Sequence, residues 1–399
     1  MIGAYPNPAV EESVDFVEAN KMRLVLFLGA GFSAAAGLPV MKDFARHVRG
    51  LPGCDEDEHM CLRACINYAK ATCAFIDGDI ENFEHVMSVI SLAAITSPDA
   101  SLPTKHMRTT FARAIQVLQR LVWRVYQRLE PLTGLGAYQD FFGKIQDFRK
   151  SAENSLGIIT TNYDMLAETL LIKTGQRYAV APPFEDFTRE PIPDGTHFGR
   201  RFAQISGGYP SMYTANEEAK VHKLHGSVNW FATQGNSHVE GQEEVVCYDQ
   251  VLGQGMANTW LERFPYAATK DASIPTNKIP LIIPPSMVKH YAGPVIQEAW
   301  RGAAKAIAHA DRVIFIGYSF PQTDTIMKYF LGTALASNDF VARVAVIDKY
   351  PDRIKPTLKD IFPKSRFDSI DFREVDFPDI IDKANKPFGE QGFGAWLAS

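Results

Sequence analysis

The sequence predicts an α/β fold: a doubly wound, mostly parallel sheet of six strands, with a helical module inserted after the first strand and helix. Three observations lead to this prediction. Short, continuous apolar runs are typical of strands that are buried on both faces of a parallel sheet. Most of these runs end in turn or polar residues, and helical stretches separate some of them. The region 51–150 lacks such runs and shows helical periodicity instead.

The first strand and the turn after it are the most informative part of the chain. Leu24–Leu28 is a continuous apolar run and predicts a buried strand, preceded by a short helix over Pro8–Asn20. Gly29-Ala30-Gly31 then forms a turn without bulky side chains, and a small-residue helix begins at Ser33. Such a turn lets the backbone approach a ligand closely, and a helix N-terminus offers N–H groups and a partial positive charge. This combination suits a pyrophosphate, so we predict a Rossmann-like nucleotide site; a tight turn without a ligand is the alternative.

An ordinary dinucleotide-dependent dehydrogenase is disfavoured by the residues after the glycine turn. Its fingerprint needs an acidic residue about 20 positions further on, at the end of a second strand. Asp43 comes too early, and residues 42–50 do not resemble a strand. Gly29, Gly31 and Ala34 match the glycine fingerprint only in its relaxed form.

The region 51–150 predicts the inserted helical module. Within it, apolar residues recur at three- and four-residue spacing and form one helix face. These residues are Phe111, Ile115, Leu118, Leu121, Val122 and Val125. We therefore expect one domain made of residues 1–50 and 151–399, interrupted by a helical module at 51–150.

Five further strands complete the predicted sheet. They are Leu156–Thr161, Val221–His225, Ile279–Pro284, Arg312–Gly317 and Arg343–Asp348. A doubly wound sheet binds its ligand at the carboxyl ends of its strands, so functional residues are expected there.

Polar and turn residues follow four of these strands. The groups are Thr161-Asn162-Tyr163-Asp164, His225-Gly226-Ser227, Gly317-Tyr318-Ser319 and Asp348-Lys349. Each group also has a structural explanation: the Asn and Asp residues as turns or helix caps, the histidine as a core residue, and the glycine as a tight turn. Their occurrence together at the edge where a ligand is expected favours a functional site.

Composition indicates a soluble globular protein, with 46% hydrophobic and 22% charged residues. The net charge of −5 gives no basic field that would attract nucleic acid or an anionic membrane. Glu11, Glu12 and Asp15 lie where a signal peptide would be apolar, and glycines interrupt the most apolar stretch, so neither export nor a membrane span is predicted. Five cysteines, an odd number, indicate reduced thiols in the cytoplasm.

Taken in order, these motifs resemble those of sirtuin-like proteins, and the resemblance spans about Leu24 to Phe377. It rests on Gly29–Ser33, Gly37, Pro39, Thr161–Asp164, His225-Gly226 and Gly317–Ser319. Within that superfamily the chain is most similar to bacterial anti-phage NAD⁺ hydrolases. It shares with them the segments Ile282–Ser286 and Gly317–Asp324.

The chain departs from the sirtuin deacylases at several points. Those enzymes carry a zinc ribbon of paired Cys-x-x-Cys motifs after the catalytic histidine, whereas only Cys247 follows His225 here. Their Phe-Gly-Glu segment, which helps to bind an acyl-lysine peptide, is replaced by Ile283-Pro284-Pro285, and Asp-Phe-Arg does not follow Pro39. In the helical module, thiols cluster around His59 at spacings that do not match a zinc ribbon, so no metal is expected. These thiols belong to Cys54, Cys61, Cys65 and Cys73.

The resemblance implies that NAD⁺ is the substrate, cleaved at its nicotinamide–ribose bond to nicotinamide and ADP-ribose by an effector of anti-phage defence that depletes NAD⁺. The leaving group is a cationic pyridine that needs little acid help, and the transition state resembles an oxocarbenium ion. On the family's pattern, Asn162 positions the attacking water or the ribose hydroxyls, and Asp164 holds the nicotinamide carboxamide. His225 contacts the ribose and acts as a general base.

The implied cofactor-binding residues lie on the same strand ends. Gly29, Ala30, Gly31 and Ser33 hold the pyrophosphate, Ser319 a neighbouring phosphate, and Gly317 and Tyr318 pack near the adenosine. Asp348 accepts a hydrogen bond from an adenosine ribose hydroxyl, and Pro39 and Thr161 complete the set.

Three other functions stay open. A deacylase or ADP-ribosyltransferase would use the same pocket, a nucleotide-binding scaffold or sensor would bind without turnover, and a conventional oxidoreductase would transfer hydride. Because an unregulated NAD⁺ hydrolase would kill its host, we expect control by homo-oligomerisation or by a separately encoded partner. In comparable systems that partner is a HerA-type ATPase or an Argonaute-like protein.

Overall fold

The computed structural model describes residues 21–49, 56–72, 83–97, 99–102, 109–127, 135–181, 184–185, 198–202, 219–233, 245–249, 278–283, 293–321, 324–338, 343–381, 388 and 392–398. The helix predicted over Pro8–Asn20 lies outside these residues.

The central sheet is parallel throughout, which confirms the predicted fold class, and it has seven strands among the described residues. In spatial order they are β12 (Asp371–Glu374), β11 (Arg343–Asp348), β10 (Arg312–Ile316), β1 (Arg23–Leu28), β2 (Ser155–Thr160), β6 (Ala219–Lys223) and β3 (Tyr178–Ala181). β1 lies in the middle, with Leu28 opposite both Ile316 and Thr160. The glycine turn after β1 therefore opens at the centre of the carboxyl edge of the sheet.

A second sheet is antiparallel. Its strands, in spatial order, are β4 (Phe184–Glu185), β5 (Phe198–Phe202), β8 (Val245–Asp249), β7 (Gly226–Thr233) and β9 (Lys278–Ile282). The prediction that the run Ile279–Pro284 belongs to the parallel sheet is wrong, because β9 pairs antiparallel with β7, with Ile279 opposite Ala232. An apolar run predicts a buried strand but does not specify its partner.

Two members of the parallel sheet, β3 and β12, were not predicted. They are four-residue edge strands, and the described side chains of both are half-buried or exposed. Such strands lack the continuous apolar run that identified the others.

The helices pack on both faces of the parallel sheet. They are α1 (Ala30–Ala34), α2 (Met41–Arg49), α3 (Glu56–Thr72), α4 (Phe83–Thr96), α5 (Phe111–Gln127), α6 (Gly136–Ala152), α7 (Leu166–Lys173), α8 (Pro294–Ala308), α9 (Thr325–Ala336), α10 (Pro351–Ile361), α11 (Lys364–Phe367) and α12 (Gly392–Ala398), with a 3₁₀-helix at Phe377–Ile381. Alternate residues of β1 enter different cores: Leu24, Leu26 and Leu28 pack on one face, Val25 and Phe27 on the other. A strand buried on both faces is what a doubly wound arrangement requires.

The helices α3, α4 and α5 pack on one another and on α2, whereas α6 packs on α7, α12 and the 3₁₀-helix. Along α5 the predicted apolar face is buried at Phe111, Leu118, Leu121, Val122 and Val125. The boundaries of an inserted module at 51–150 stay a prediction. No helix within the described parts of the chain has the length and apolar character that crossing a membrane requires.

A buried histidine gives the fold a predicted sensitivity to acid. His222 on β6 is 2% exposed, and its Nδ1 has no hydrogen-bond partner among the described residues. Burial, with a smaller contribution from Lys220, lowers the pKa of His222 from 6.5 to about 4. Between these values the unfolded chain binds a proton that the folded chain does not, so folding stability falls as the pH drops through this window.

When the pH is lowered from about 7 to about 5, we expect the free energy of unfolding to fall by roughly 2 kcal/mol less in His222→Gln than in the wild type. Urea titrations at each pH measure this difference. His309→Gln is the matched control, because that side chain is exposed, and it should keep the wild-type pH dependence. Identical pH dependences for His222→Gln and the wild type would contradict the prediction.

Candidate functional site

A cavity of about 220 Å³ lies at the carboxyl ends of β1, β2, β6 and β10. It is lined by most of the site residues predicted from the sequence: Ala30, Ser33, Pro39, Thr161, Asn162, Asp164, His225, Tyr318 and Ser319. The remaining four, Gly29, Gly31, Gly317 and Asp348, are not among its lining residues. The fold thus brings residues from four separate strand ends to one place, as expected for this edge of a doubly wound sheet.

The glycines behind the cavity join two turns of the backbone. The N–H of Gly29 donates to the carbonyl of Ile316 at 2.9 Å, and the N–H of Gly31 donates to the carbonyl of Gly317 at 2.8 Å. A Cβ on Gly31 would lie 2.9 Å from Gly317 Cα, and Gly317 itself has a φ of 60°. These residues are glycines because the two turns touch. Both N–H groups are therefore already hydrogen-bonded within the chain. The contribution of Gly29 and Gly31 to pyrophosphate binding would come from their lack of side chains, which lets the ligand approach the backbone closely.

Asn162 connects the end of β2 to the glycine turn. Its Nδ2 donates to the carbonyl of Gly29 and to Ser33 Oγ, each at 2.8 Å, and the residue is 9% exposed. With both N–H groups engaged, Oδ1 is the acceptor left on this side chain. Ser33 in turn hydrogen-bonds the Asp164 carboxyl. Three predicted site residues therefore belong to one hydrogen-bonded chain.

The backbone of Asp164 contacts a buried ion pair. Its Oδ1 accepts from the N–H of Leu166 at 3.0 Å, so it also fixes the start of α7, the structural role left open by the sequence. Lys223 donates to the backbone carbonyl of Asp164 and to Glu168 Oε1, the latter at 3.0 Å, and both side chains are fully buried. Burial raises the pKa of Asp164, while Lys223 and the Ser33 hydrogen bond act in the opposite direction. The ion pair therefore holds the backbone of Asp164 in place through the Lys223 ammonium.

His225 lies at the junction of the two sheets, between β6 and β7, and is 3% exposed. Its carbonyl accepts from the N–H of Ile283 at 2.9 Å. The next residue, Gly226, has a φ of 78°, and a Cβ there would lie 2.9 Å from the carbonyl carbon of Leu281. A glycine is therefore required at this turn, and the turn fixes where the histidine points.

The helical region reaches this junction as well. Gln119 Nε2, on α5, donates to the carbonyl of Ile282 at 2.9 Å. The Tyr163 hydroxyl donates to the carbonyl of Ile283 at 2.9 Å. The end of β9 is thus held both by α5 and by the motif that follows β2.

Asp348 lies one strand further along the same edge, at the end of β11. Its Oδ1 accepts from the N–H of Tyr350 at 2.7 Å, immediately before α10. Burial raises the pKa of this half-buried carboxyl. The N-cap residue of α10 is Tyr350, not Asp348; the Asp348 carboxylate instead accepts from the N–H of that residue, and its contact with an adenosine ribose stays a prediction.

Several lining residues were not predicted: Val40, Glu84, Tyr126, Tyr163, Pro321 and Asp324. Tyr163, Pro321 and Asp324 lie within motifs noted in the sequence, and their residue types gave no reason to choose them. Glu84 on α4 and Tyr126 on α5 come from the predicted helical module, and no sequence pattern connects them to the strand ends. Among the described lining residues, three are acidic and none is a lysine or arginine.

The predicted thiols are described only in part. Cys61 and Cys65 lie on consecutive turns of α3 as buried free thiols, and Cys54 and Cys73 lie outside the described residues. The Cys65 thiol lowers the pKa of Cys61 through a hydrogen bond. Within the described ranges, no three histidine, cysteine, aspartate or glutamate side chains are grouped so as to hold a metal ion.

Comparison with known proteins identifies the family. Residues 156–362 match the SIR2-like domain. Similar solved structures include a Sir2–p53 peptide–NAD⁺ complex, at 11% identity over 94% of this chain and 98% of that chain, with a TM-score of 0.36. Another, from work on sirtuin substrate affinity, has 13% identity over 96% of this chain and 99% of that chain, with a TM-score of 0.37. The comparison with curated proteins found no match.

Solved structures at such identities and TM-scores do not establish the family, so the assignment rests on the domain match. That match covers more than half of the 399 residues and confirms the resemblance to sirtuin-like proteins: the chain belongs to the SIR2-like family.

Proposed function

We propose that the chain cleaves the nicotinamide–ribose bond of NAD⁺ and releases nicotinamide and ADP-ribose. The observation that carries the proposal is the shared cavity, in which Asn162, Asp164 and His225 line the same space as the small-residue turn at Ala30 and Ser33. Membership of the SIR2-like family supports NAD⁺ as the nucleotide.

The side chains supply what cleavage of this bond needs. Asn162 has one acceptor, Oδ1, to orient a water or a sugar hydroxyl, because its N–H groups are held by Gly29 and Ser33. Asp164 accepts from the carboxamide of the leaving group, and His225 accepts the proton of the nucleophile or of a ribose hydroxyl. Because the leaving group needs little acid help, the main task left to these side chains is to hold the water and the ribose in a reactive geometry.

The electrostatics of the cavity favour the same reaction. Glu84, Asp164 and Asp324 surround the site, and no lysine or arginine is among its described lining residues. Negative walls stabilise the positive charge that develops on the sugar in an oxocarbenium-like transition state. We assign the pyrophosphate to Gly29, Ala30, Gly31 and Ser33, a neighbouring phosphate to Ser319, and the adenosine end to Gly317, Tyr318 and Asp348, with Pro39 and Thr161 completing the proposed set.

We further propose that this activity serves anti-phage defence by depleting NAD⁺. Homo-oligomerisation or a separately encoded partner, of the HerA-type ATPase or Argonaute-like kind, would control it. No zinc is needed, since only Cys247 follows His225 and a four-thiolate ribbon cannot form there. The proposed division of the chain is a catalytic domain at 1–50 and 151–399, with a helical module at 51–150.

The test is to incubate the purified full chain with NAD⁺, alone and with its genomic neighbours, and to resolve the products. We expect equimolar nicotinamide and ADP-ribose without any acylated peptide. Release that depends strictly on an acyl peptide or an acceptor protein would favour a deacylase or ADP-ribosyltransferase. Tight binding of NAD⁺ without turnover in any assembly state would favour a sensor. The appearance of reduced-nicotinamide absorbance would favour an oxidoreductase.

A further inference from the structure

The loop between β10 and α9 is held in an unusual backbone conformation. Gly317 has a φ of 60° and Phe320 a φ of 49°, and a bulky residue is rarely found in this left-handed region. The Phe320 ring is 3% exposed and packs against Phe315 and Tyr318, with centroids 5.5 and 4.7 Å away. Strained backbone that is so firmly packed tends to occur where a side chain must be placed accurately.

The side chain that this loop places is Asp324. Its N–H donates to the carbonyl of Pro321 at 3.0 Å, and its own carbonyl accepts from the N–H of Met327 at 3.1 Å. Asp324 is the N-cap residue of α9, yet its side chain makes no cap hydrogen bond with that helix. The carboxylate is instead 2% exposed and lines the cavity.

Asp324 lies between two residues of the predicted site. Its Oδ2 accepts a hydrogen bond from the Tyr318 hydroxyl at 2.8 Å and lies 3.9 Å from His225 Nε2. Burial and the neighbouring Asp324 raise the pKa of Tyr318, so its hydroxyl stays protonated and donates. The 3.9 Å separation is too long for a hydrogen bond, but charges this close interact strongly when they are out of water. Tyr318 therefore belongs to the histidine end of the cavity as well as to the turn beside the glycines.

We propose that Asp324 is a positioning residue for His225: its carboxylate orients the imidazole from the Nε2 side and stabilises the imidazolium that forms when the ring accepts a proton. The inference rests on the proposed function and deepens it. The proton comes from the nucleophilic water or a ribose hydroxyl and passes to the His225 imidazole. It is released to solvent when the imidazolium deprotonates at the end of the cycle, nicotinamide leaves as a neutral molecule, and Asp324 stays ionised. Among the described residues, the other ionisable groups that line this cavity are Glu84, Asp164 and three tyrosines. The tyrosines are Tyr126, Tyr163 and Tyr318.

The test compares three variants of the full chain. Asp324→Asn removes the charge and keeps the shape, Tyr318→Phe keeps the charge and removes its hydrogen bond, and Asp352→Asn is the control at an exposed position on α10. For Asp324→Asn we expect kcat for nicotinamide release to fall about 10- to 100-fold, with KM for NAD⁺ changed less than about threefold. The acidic limb of kcat/KM should move to lower pH by about one unit, because the ring loses a neighbouring negative charge. Tyr318→Phe should leave that limb in place, and Asp352→Asn should match the wild type.

A second measurement separates failure of this inference from failure of the proposed function. If the wild type releases no nicotinamide, the proposed function fails, and the pair is tested by NMR titration of the histidine rings. The signal assigned to His225 by its loss in His225→Gln should then titrate at lower pH in Asp324→Asn than in the wild type. An acidic limb and an NMR titration that do not move in folded Asp324→Asn would overturn the inference, even if the rate falls. If Asp324→Asn does not fold, Asp324→Ser takes its place in both measurements.

Discussion

Replacing Asn162 with alanine is expected to lower kcat for nicotinamide release at least about 100-fold while the protein stays folded. The change removes Oδ1 from the cavity and the two bonds that tie the end of β2 to Gly29 and Ser33. Loss of one well-placed polar group in a water-poor site costs about this much in other enzymes. Chromatography of the products, together with urea unfolding, measures both effects.

Asn338 provides a matched control for that variant. It is also a buried asparagine whose Nδ2 donates to two backbone carbonyls, those of Ile307 at 2.6 Å and Ala310 at 2.8 Å. Asn338→Ala should lose a similar free energy of unfolding, about 1–3 kcal/mol, and keep the wild-type kcat. Unchanged turnover in Asn162→Ala, or equal loss of turnover in both variants, would exclude Asn162 from the mechanism.

Replacing Gly317 with alanine is expected to destabilise the fold strongly and to abolish binding of NAD⁺. The new Cβ would lie 2.6 Å from the carbonyl carbon of Gly31 and 2.8 Å from its Cα, and backbone atoms cannot move aside as the end of a side chain can. The glycine turn and the Tyr318 turn would have to separate. Unfolding in urea and calorimetric titration with NAD⁺ measure the two consequences.

Gly37→Ala is the control that separates the cost of the left-handed backbone from the cost of steric crowding at Gly317. Gly37 also has a positive φ, 87°, but no atom of the part of the chain that the structure describes lies within 4 Å of a Cβ at that position. Its replacement by alanine should lower the free energy of unfolding only by the cost of a left-handed backbone at a residue with a Cβ, about 1–2 kcal/mol. Gly317→Ala should cost at least about 2 kcal/mol more. Equal losses of stability would show that the contact between the two turns is not what requires Gly317.

The centre of the fold could be predicted because its signals are local. The apolar run of β1 and the small residues after it specify a buried strand and a close turn without reference to the rest of the chain. Asn162 and His225 could be brought to the same edge because carboxyl ends of parallel strands meet there. The strand over Ile279–Pro284 was predicted as a strand but assigned to the wrong sheet, since its partner is decided by the turn at Gly226.

The parts of the site that escaped prediction depend on tertiary contacts. Glu84 and Tyr126 reach the cavity from helices whose periodicity reports only the face that packs. Asp324 lies in a motif that the resemblance singled out, but its meaning depends on the 3.9 Å approach to His225. The engagement of the Gly29 and Gly31 N–H groups also depends on a turn that comes almost 300 residues later.

His225 lies where the chain passes from the parallel sheet to the antiparallel sheet, so its backbone connects the two. The cavity has no lining residue from the described strands of the antiparallel sheet. The carbonyl of His225 nevertheless accepts a hydrogen bond from the residue after β9, and Gln119 of α5 donates to the carbonyl of the last residue of β9. A displacement of the end of β9 relative to the parallel sheet would therefore either break the hydrogen bond to His225 or shift the backbone that carries the imidazole.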